Sequence, residues 1–270
     1  MTAIDPATGT PSLEGNTALV AASSSGLGKA AATSLAAAGA NVVLNGRDEA
    51  KLDDAVAAVD AVGPGDVVGH AADLTDGDAV AGLVAATAER FGTIDHLVVN
   101  TGDPASGGLH DVTDDDWYHA FDLLVMSAVR LTREAGPYLR DGGGSIVAIT
   151  SITVRQPVPS LVLSSSVRMA VLGLVKTLSR ELAPGVRANA VLPGPVETPA
   201  LRDIVEDAVE RGEYDSYEEG LASYWPDDIP TGSVAQPGEL GDVVAFLASP
   251  AASYVNGAQL LVDGGIVRAV

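Results

Sequence analysis

The chain has 270 residues, of which 47% are hydrophobic and none is cysteine, and its 36 acidic and 15 basic residues give a net charge of −21. This length and apolar content are enough for one sizeable core, so a single α/β domain is the simplest expectation. The acidic charge makes nucleic acids and anionic membranes poor partners, and the lack of cysteine excludes disulfides and thiolate metal sites.

Strand and helix patterns alternate after a polar leader, which we expect to be flexible over residues 1–15. Short, nearly continuous apolar runs predict buried strands, and longer runs at helical spacing predict helices. The predicted strands are 17–22, 41–44, 66–71, 96–100, 145–150, 186–192 and 259–262, and the predicted helices are 28–38, 48–62, 78–91, 113–138 and 164–182. This order predicts a doubly wound parallel sheet, an α/β Rossmann fold, in one domain over 16–270.

One segment, residues 197–236, interrupts this alternation. It is acidic and irregular, and it follows directly on the strand predicted at 186–192. Ligands of open α/β sheets bind at the carboxyl ends of the strands, so a long excursion there favours a lid over the ligand. A solvated insertion is the alternative.

The first predicted strand leads into a serine- and glycine-rich loop that ends at the start of a helix. The loop residues are Ser23, Ser24, Ser25, Gly26, Leu27 and Gly28. Such a turn directs backbone N–H groups and the positive end of the helix dipole toward a pyrophosphate. A glycine-rich turn that only packs a helix on a sheet is the alternative, but the position after the first strand of a βαβ unit favours a dinucleotide site.

Four further motifs follow in order along the chain. They are Asp73-Leu74, Val99-Asn100-Thr101-Gly102, Pro193-Gly194-Pro195-Val196-Glu197-Thr198 and Asp263-Gly264-Gly265. With the loop, they make the chain, from about Gly15 to Arg268, resemble the short-chain dehydrogenase/reductase family. The resemblance is closest to an atypical branch that is similar to 3-oxoacyl-carrier-protein reductases. The loop departs from the family's TGxxxGxG, because Ala21 and Ala22 replace its Thr and first Gly.

The resemblance implies a nicotinamide dinucleotide, with Asp73-Leu74 at its adenine and the Pro193–Thr198 motif at its carboxamide. The residues then expected to bind it are Ser23, Ser24, Ser25, Gly26, Leu27, Gly28, Arg47, Asp73, Leu74, Asn100, Gly102, Arg168, Pro193, Gly194, Val196 and Thr198. No metal is expected.

The end of the second predicted strand indicates which dinucleotide is preferred. An acid there normally binds the adenosine ribose and selects NAD, whereas a nearby basic residue accommodates the 2′-phosphate of NADP. Here Asn45 replaces the expected acid and Arg47 is placed for a phosphate. NADP is therefore favoured, with NAD as the alternative, and Asp48 is expected to cap the next helix.

The resemblance also locates the proton-transfer site, which in the family contains a Ser, a Tyr, a Lys four residues later and an Asn on the preceding long helix. Ser151 matches the Ser that polarises the carbonyl. Ser164 stands in the Tyr position, Arg168 in the Lys position and Leu124 in the Asn position. Ser151, Ser164 and Arg168 are therefore the candidate catalytic residues, and three of four family positions are changed.

These changes alter the chemistry that the site can perform. A serine hydroxyl is a far weaker acid than a phenol, whose pKa is about 10, and its oxygen lies closer to the helix backbone. Arg168 stays cationic and can bind ribose or an anionic substrate, but it cannot exchange a proton near neutral pH. Hydride transfer needs only positioning and an electrophilic carbonyl, so reduction can survive with another proton source.

Three functions are consistent with this pattern. The first is an NADP-dependent oxidoreductase that interconverts a carbonyl and an alcohol on a small or acyl substrate. The second is a dinucleotide-binding regulator or assembly subunit without turnover. The third is a non-redox reaction like that of the halohydrin dehalogenases, whose Arg resembles Arg168 but whose Tyr is absent here. The first is favoured, because the nicotinamide motifs are retained.

The chain's surroundings are predicted from charge and resemblance. An evenly acidic chain with only three lysines, Lys29, Lys51 and Lys176, indicates a cytosol of high salt and thus a halophile. No signal sequence or membrane-spanning apolar run is evident, so a cytoplasmic location is expected. The resemblance implies a homotetramer or homodimer, with Ala128, Val129, Met169 and Val171 as interface candidates and core packing as their alternative.

Overall fold

Seven parallel strands form one sheet at the centre of the protein. The computed structural model describes residues 12–139, 143–224 and 229–268. The strands are β1 (Thr17–Val20), β2 (Asn41–Gly46), β3 (Val67–Ala71), β4 (His96–Val99), β5 (Gly144–Ile149), β6 (Val186–Pro193) and β7 (Gln259–Val262). Their order is β3-β2-β1-β4-β5-β6-β7, so the predicted doubly wound sheet is confirmed.

Helices cover both faces of this sheet. They are α1 (Gly26–Ala37), α2 (Glu49–Asp60), α3 (Gly77–Phe91), α4 (Asp114–Phe121), α5 (Ser127–Ala135), α6 (Val162–Glu181), α7 (Pro199–Glu210), α8 (Tyr217–Tyr224) and α9 (Pro237–Ala248). A π-helical turn, Asp122–Met126, joins α4 to α5, and short 3₁₀ turns lie at Gly136–Tyr138, Ile152–Val154 and Pro250–Ala252.

Side-chain caps explain why several helices begin where they do. The Asp48 carboxylate accepts a hydrogen bond from the Lys51 N–H at the start of α2, as predicted. At the start of α4, Thr113 and Asp116 form a reciprocal capping box. Each cap satisfies a backbone donor that has no partner within the helix.

Alternation along the buried strands divides the core between the two faces of the sheet. In β1, Leu19 belongs to the cluster that includes residues of α3, α5 and α6, whereas Val20 belongs to the cluster that includes residues of α1, α2 and α9. Successive residues of a strand point to opposite faces, so both faces must be covered for such an apolar strand to be stable.

The segment 197–236 is more regular than the sequence pattern indicated. It contains α7 and α8, and the prediction of an irregular segment is wrong in this respect. Thr198 caps α7 through a bond from the Leu201 N–H, and Pro199 occupies its first turn. A parallel bridge between Val196 and Ala235 holds the two ends of the segment together. The segment is therefore a helical excursion from one point at the end of β6.

The predicted leader is shorter than residues 1–15. Residues 1–11 lie outside the described residues, but Leu13 is fully buried in the core cluster of α1. Its backbone N–H also donates to the Ala38 oxygen. The apolar Leu13 side chain thus packs into the domain, and the folded region begins before residue 16.

α6 is the one helix among the described residues whose length and apolarity would suffice to cross a membrane, with a mean hydropathy of 1.3 over its best window. No apolar run of membrane-spanning length was evident from the sequence. Leu163, Val167 and Val171 of α6 are buried in the core beside the sheet. These residues pack inside the domain, and 44% of the apolar window is buried.

The interface candidates differ in their surroundings. Ala128 and Val171 are buried in the core cluster, so core packing accounts for both. Val129 packs partly buried against the same cluster. Met169 is 50% exposed and stays an interface candidate.

The strand order reverses beside β1, because β2 lies on one side of it and β4 on the other. In open α/β sheets, a ligand binds in the crevice at the carboxyl ends of the strands where this reversal occurs. The loops after β1 and β4 are therefore the starting point for locating a functional site.

Candidate functional site

The loop after β1 has the tight geometry expected of a phosphate-binding turn. A Cβ atom added to Gly28 would lie only 2.3 Å from the Ala22 carbonyl oxygen and 2.8 Å from the Asn100 Nδ2. The Asn100 amide donates to that same carbonyl at 3.0 Å, which joins the loops after β1 and β4. Glycine is thus required at position 28 for the loop to close against β4.

Ala22 stands where the family has its first glycine, and it keeps a glycine-like conformation. Its φ is +45°, and it is the one non-glycine residue with a positive φ among the described residues. An L-amino acid in this region loses roughly 1 to 2 kcal/mol to contacts of its Cβ. The backbone path of the family loop is therefore preserved at the expense of strain.

The N-terminus of α1 is suited to an anion. Ser25 is its N-cap residue but makes no side-chain capping bond, so the first-turn N–H groups are not satisfied by a cap. A Cβ on Gly26 would lie 3.9 Å from the Thr198 Cγ2, which places the β6 motif beside the loop. Uncapped N–H groups at a helix start fit a pyrophosphate, and Ser24, Ser25, Gly26 and Leu27 stay predicted contacts of that group.

The side chain of Ser23 has a different role from the one predicted. It is completely buried, its hydroxyl donates to the Val20 oxygen at 2.7 Å, and it accepts from the Asn45 N–H at 3.0 Å. The hydroxyl is engaged by the protein on both sides. Ser23 therefore supports the loop from beneath.

Asn45 lies inside β2 and not at its end. The strand extends to Gly46, two residues further than predicted. The buried Asn45 side chain accepts from the Ala22 N–H at 3.1 Å and donates to the oxygens of His70 and Ala72. Asn45 thus ties β1, β2 and β3 together. The expectation that it replaces a ribose-binding acid is corrected by this burial.

Arg47 lies beyond the end of β2 and is open to solvent. Its guanidinium is 3.9 Å from the Asp73 carboxylate, and the two side chains are 76% and 44% exposed. Hydrogen bonds from Thr75, with Arg47 nearby, lower the pKa of Asp73. Leu74, the next residue after Asp73, is buried in the core. An exposed arginine at this edge is free to turn toward a phosphate.

The motif after β6 packs closely on the C-terminal DGG motif. A Cβ on Gly194 would lie 2.7 Å from the Asp263 Cα, so the two backbones are in contact. Pro193 ends β6, and Val196 is buried at the bridge to Ala235. The contact between Gly194 and Asp263 fixes the chain between the end of β6 and Thr198.

Glu197, within this motif, connects the helical excursion to its base. Its carboxylate accepts hydrogen bonds from Gln236 at 2.7 Å, Tyr217 at 3.0 Å and Arg202 at 2.6 Å. These contacts lower the pKa of Glu197, and the hydrogen bond from Gln236 has the largest effect. The sequence analysis did not identify this cluster, and no spacing pattern marks it, because its members are up to 39 residues apart.

Ser151 follows β5 with its hydroxyl hydrogen uncommitted. Its oxygen accepts a hydrogen bond from the Thr153 N–H at 3.1 Å, and this is its one side-chain bond among the described residues. A hydroxyl that accepts from the protein and has no acceptor of its own is able to donate to a substrate oxygen.

Ser164 and Arg168, which are both buried, form a chain of contacts with two residues that the sequence did not indicate, Thr153 and Asp103. The Arg168 Nε donates to the Ser164 Oγ at 3.2 Å, and the Ser164 hydroxyl bonds to the Thr153 hydroxyl at 3.1 Å. The Arg168 Nη2 donates to the Asp103 carboxylate at 2.9 Å. Burial lowers the pKa of Arg168, and Asp103 opposes that effect. Ser164 therefore anchors Arg168 and does not extend into the cleft.

Leu124, in the Asn position, lies in the π-helical turn and is buried in the core. Its side chain has no polar atom that could hold a water. Gly102, which follows β4, is open, with no atom within 4 Å of an added Cβ. Thr153 and Ser164 link Ser151 to Arg168, and Asn100 links the loop after β4 to the loop after β1. The described residues do not form a proton relay of the family type.

No group of three or more carboxylate or imidazole side chains suited to a metal occurs among the described residues.

Known proteins resemble this chain over almost its whole length. A family model described as enoyl-(acyl carrier protein) reductase matches residues 21–267. The 3-oxoacyl-[acyl-carrier-protein] reductase FabG of Thermotoga maritima is 31% identical over 257 residues, which cover 94% of this chain and 99% of FabG.

Two solved structures show the same fold. L-sorbose reductase from Gluconobacter frateurii, complexed with NADPH and L-sorbose, has a TM-score of 0.91 at 30% identity, covering 96% of this chain and 99% of that one. An NADPH-bound short chain oxidoreductase from Pseudomonas aeruginosa PAO1, which contains an atypical catalytic center, has a TM-score of 0.87 at 30% identity, covering 96% and 100%. The chain therefore belongs to the short-chain dehydrogenase/reductase family of oxidoreductases.

Proposed function

We propose that this protein is an NADP(H)-dependent oxidoreductase of the cytoplasm that interconverts a carbonyl and an alcohol on a small or acyl substrate. The observation that carries the proposal is the position of Ser151 and Arg168 at the same sheet edge as an uncapped helix N-terminus. A hydroxyl donor, a buried cation and an anion site together fit a dinucleotide and a polar substrate.

The preference for NADP rests on Arg47. Its guanidinium is exposed just after β2, where the adenosine ribose of a bound dinucleotide is expected. β2 itself contains no acidic residue that could bind the ribose instead. NADPH in two structurally similar proteins supports the same choice. The roles of Asp73, Asn100 and Thr198 in holding the dinucleotide belong to this proposal.

The chemistry divides between the cofactor and the chain. Bound NADP(H) would supply or accept the hydride. Ser151 would donate to the carbonyl oxygen as negative charge develops on it, and Arg168 would orient ribose or substrate. Because Ser164 is held by Arg168 and Thr153, the proton for the oxygen would come from water in the open cleft.

A dinucleotide-binding protein without turnover is the second candidate. The burial of Leu124, which removes the usual water site, and the withdrawal of Ser164 from the cleft favour it. The two candidates share the cofactor site and differ only in the chemistry beside it.

Carbonyl-dependent oxidation of NADPH in molar KCl distinguishes them. A panel of ketones, aldehydes and 3-oxoacyl thioesters is expected to contain at least one substrate, and Ser151→Ala is expected to lower its kcat about a hundredfold while NADPH binding is retained. Tight NADPH binding without oxidation by any member of the panel would favour the second candidate. Full activity of Ser151→Ala would remove Ser151 from the mechanism.

A further inference from the structure

The ion pair between Asp103 and Arg168 is unequal in its exposure to solvent. The Arg168 side chain is 7% exposed and the Asp103 side chain 86% exposed, although their polar atoms are 2.9 Å apart. Asp103 has no other bond among the described residues, so the buried guanidinium is its partner. The carboxylate thus faces solvent and carries the charge opposite to that of the buried guanidinium.

The fold indicates which end of a dinucleotide would meet this pair. The pyrophosphate is expected at the start of α1, and the adenosine at β2, near Arg47. The other nucleoside must then extend over β4 and β5. Asp103 follows β4 and Ser151 follows β5, so both lie on that side. The nicotinamide is therefore expected beside the Asp103–Arg168 pair.

The nicotinamide ring changes its charge in the reaction. It is cationic in NADP⁺ and neutral in NADPH, so a nearby protein charge acts on the two forms differently. An uncompensated Arg168 would repel NADP⁺ but not NADPH, while a paired Arg168 would leave both nearly unaffected. This matters here because an arginine cannot lose its charge near neutral pH.

We propose that Asp103 is a positioning residue that neutralises Arg168, and so allows the site to hold the cationic, oxidised nicotinamide as well as the reduced one. The proposal rests on the proposed binding of NADP(H). Asp103 acts through Arg168, which it holds at Nη2, while Ser164, itself bonded to Thr153, accepts from the Arg168 Nε.

The geometry of Arg168 supports this role. Its Nε donates to the Ser164 Oγ, a contact that Asp103→Asn leaves in place, and the new amide oxygen can still accept from Nη2, so the guanidinium stays where it is. Neutralising Asp103 would therefore leave a positive charge in nearly the same place. The expected effect is electrostatic and specific to the oxidised cofactor.

The test is the ratio of dissociation constants, Kd(NADP⁺)/Kd(NADPH), measured by isothermal titration for a charge series. The wild type and the double variant Asp103→Asn/Arg168→Gln have a neutral pair, Asp103→Asn leaves +1, and Arg168→Gln leaves −1. Relative to the wild type, the ratio is expected to rise about three- to tenfold in Asp103→Asn, to fall in Arg168→Gln and to return toward the wild-type value in the double variant.

A matched control removes the same formal charge on the other face of the sheet. Asp60 is an exposed acid at the end of α2, and the buried residues of α2 belong to the core cluster on the face of the sheet opposite α6. Asp60→Asn is expected to leave the ratio of dissociation constants unchanged. High salt should shrink the change in Asp103→Asn without abolishing it, because Arg168 is buried.

The outcomes separate this inference from the proposed function. If the wild type binds neither nucleotide, the proposed function fails and the inference with it. If both bind but the ratio in Asp103→Asn stays within twofold of the wild type, the inference alone is overturned. If Asp103→Asn does not fold, the same ratio is measured for Asp103→Ser, which removes the same charge at the same exposed position.

Discussion

At the scale of single residues, the site shows two kinds of replacement. Ala22 replaces a glycine without changing the path of the backbone, as its φ of +45° shows. Ser164 and Arg168 replace the family's Tyr and Lys and form a new chain of contacts with Thr153 and Asp103. The first replacement preserves a binding loop, and the second changes the group at the reacting end of the cleft.

Ala22→Gly is expected to stabilise the protein. Glycine adopts a positive φ without the contacts that disfavour alanine there, and this gain exceeds the added entropy of the unfolded chain, so the free energy of unfolding should rise by about 0.5 to 1 kcal/mol. Chemical denaturation in molar KCl measures the change. Ala57→Gly, at an exposed position inside α2, is the control and should lower stability by about the same amount.

Ser164→Ala should affect stability more than chemistry. It removes the partner of the buried Thr153 hydroxyl and of the Arg168 Nε, which should cost about 1 to 3 kcal/mol. Because the hydroxyl faces these two groups, kcat with an active carbonyl substrate should fall less than tenfold. A fall as large as that of Ser151→Ala, with NADPH binding intact, would show that Ser164 does take part in the reaction.

At the scale of elements, the strands and the helices beside them could be predicted from the sequence, because buried parallel strands are continuous apolar runs. The bounds of β7, Gln259–Val262, and the Asp48 cap are examples. The helices α7 and α9 were missed, although Thr198-Pro199 and Gln236-Pro237 each begin a helix with a cap and a proline.

Contacts between distant segments could not be predicted in this way. The sequence pattern places Asn45 at a strand end, whereas its side chain bonds to the loop after β1 and to residues 70 and 72. Asp103 approaches Arg168 across 65 residues of sequence. Such pairs depend on how loops after neighbouring strands converge, which no local pattern records.

The attachment of α7 and α8 is expected to depend on Glu197 and on pH. The pKa of Glu197 is lowered in the folded protein, so its stabilising contacts are present above the ordinary glutamate value of 4.5 and are lost as the pH falls through the lowered value. Hydrogen-exchange protection factors of α7 and α8, relative to α1, should therefore fall below about pH 4.5.

Glu197→Gln tests the assignment of this effect. The variant loses the ion pair with Arg202 and cannot titrate, so α7 and α8 should show reduced protection at pH 7 and little further change on acidification. Glu210→Gln, an exposed acid at the end of α7, should behave like the wild type. Equal pH dependence in all three proteins would assign the effect to general acid denaturation.

At the scale of the whole molecule, the net charge of −21 should make stability depend on salt. The mutual repulsion of the acids destabilises the compact state, and ions screen it over about 10 Å at 0.1 M and about 3 Å at 1 M. The midpoint of thermal unfolding should therefore rise by several degrees between 0.1 and 2 M KCl. A midpoint that is unchanged or lower in 2 M KCl would contradict the prediction of a high-salt cytosol.

The central claim is that the chain keeps a dinucleotide site of the NADP type while its proton-transfer site has changed. Calorimetric titration of NADPH and NADH in molar KCl, with the wild type and Arg47→Asp, tests it most directly. The wild type should bind NADPH at least tenfold more tightly than NADH, because one well-placed cation contributes about 1.4 kcal/mol or more to a phosphate contact, and Arg47→Asp should remove this preference. Absence of binding by either nucleotide, or equal binding of both by the wild type, would contradict the account.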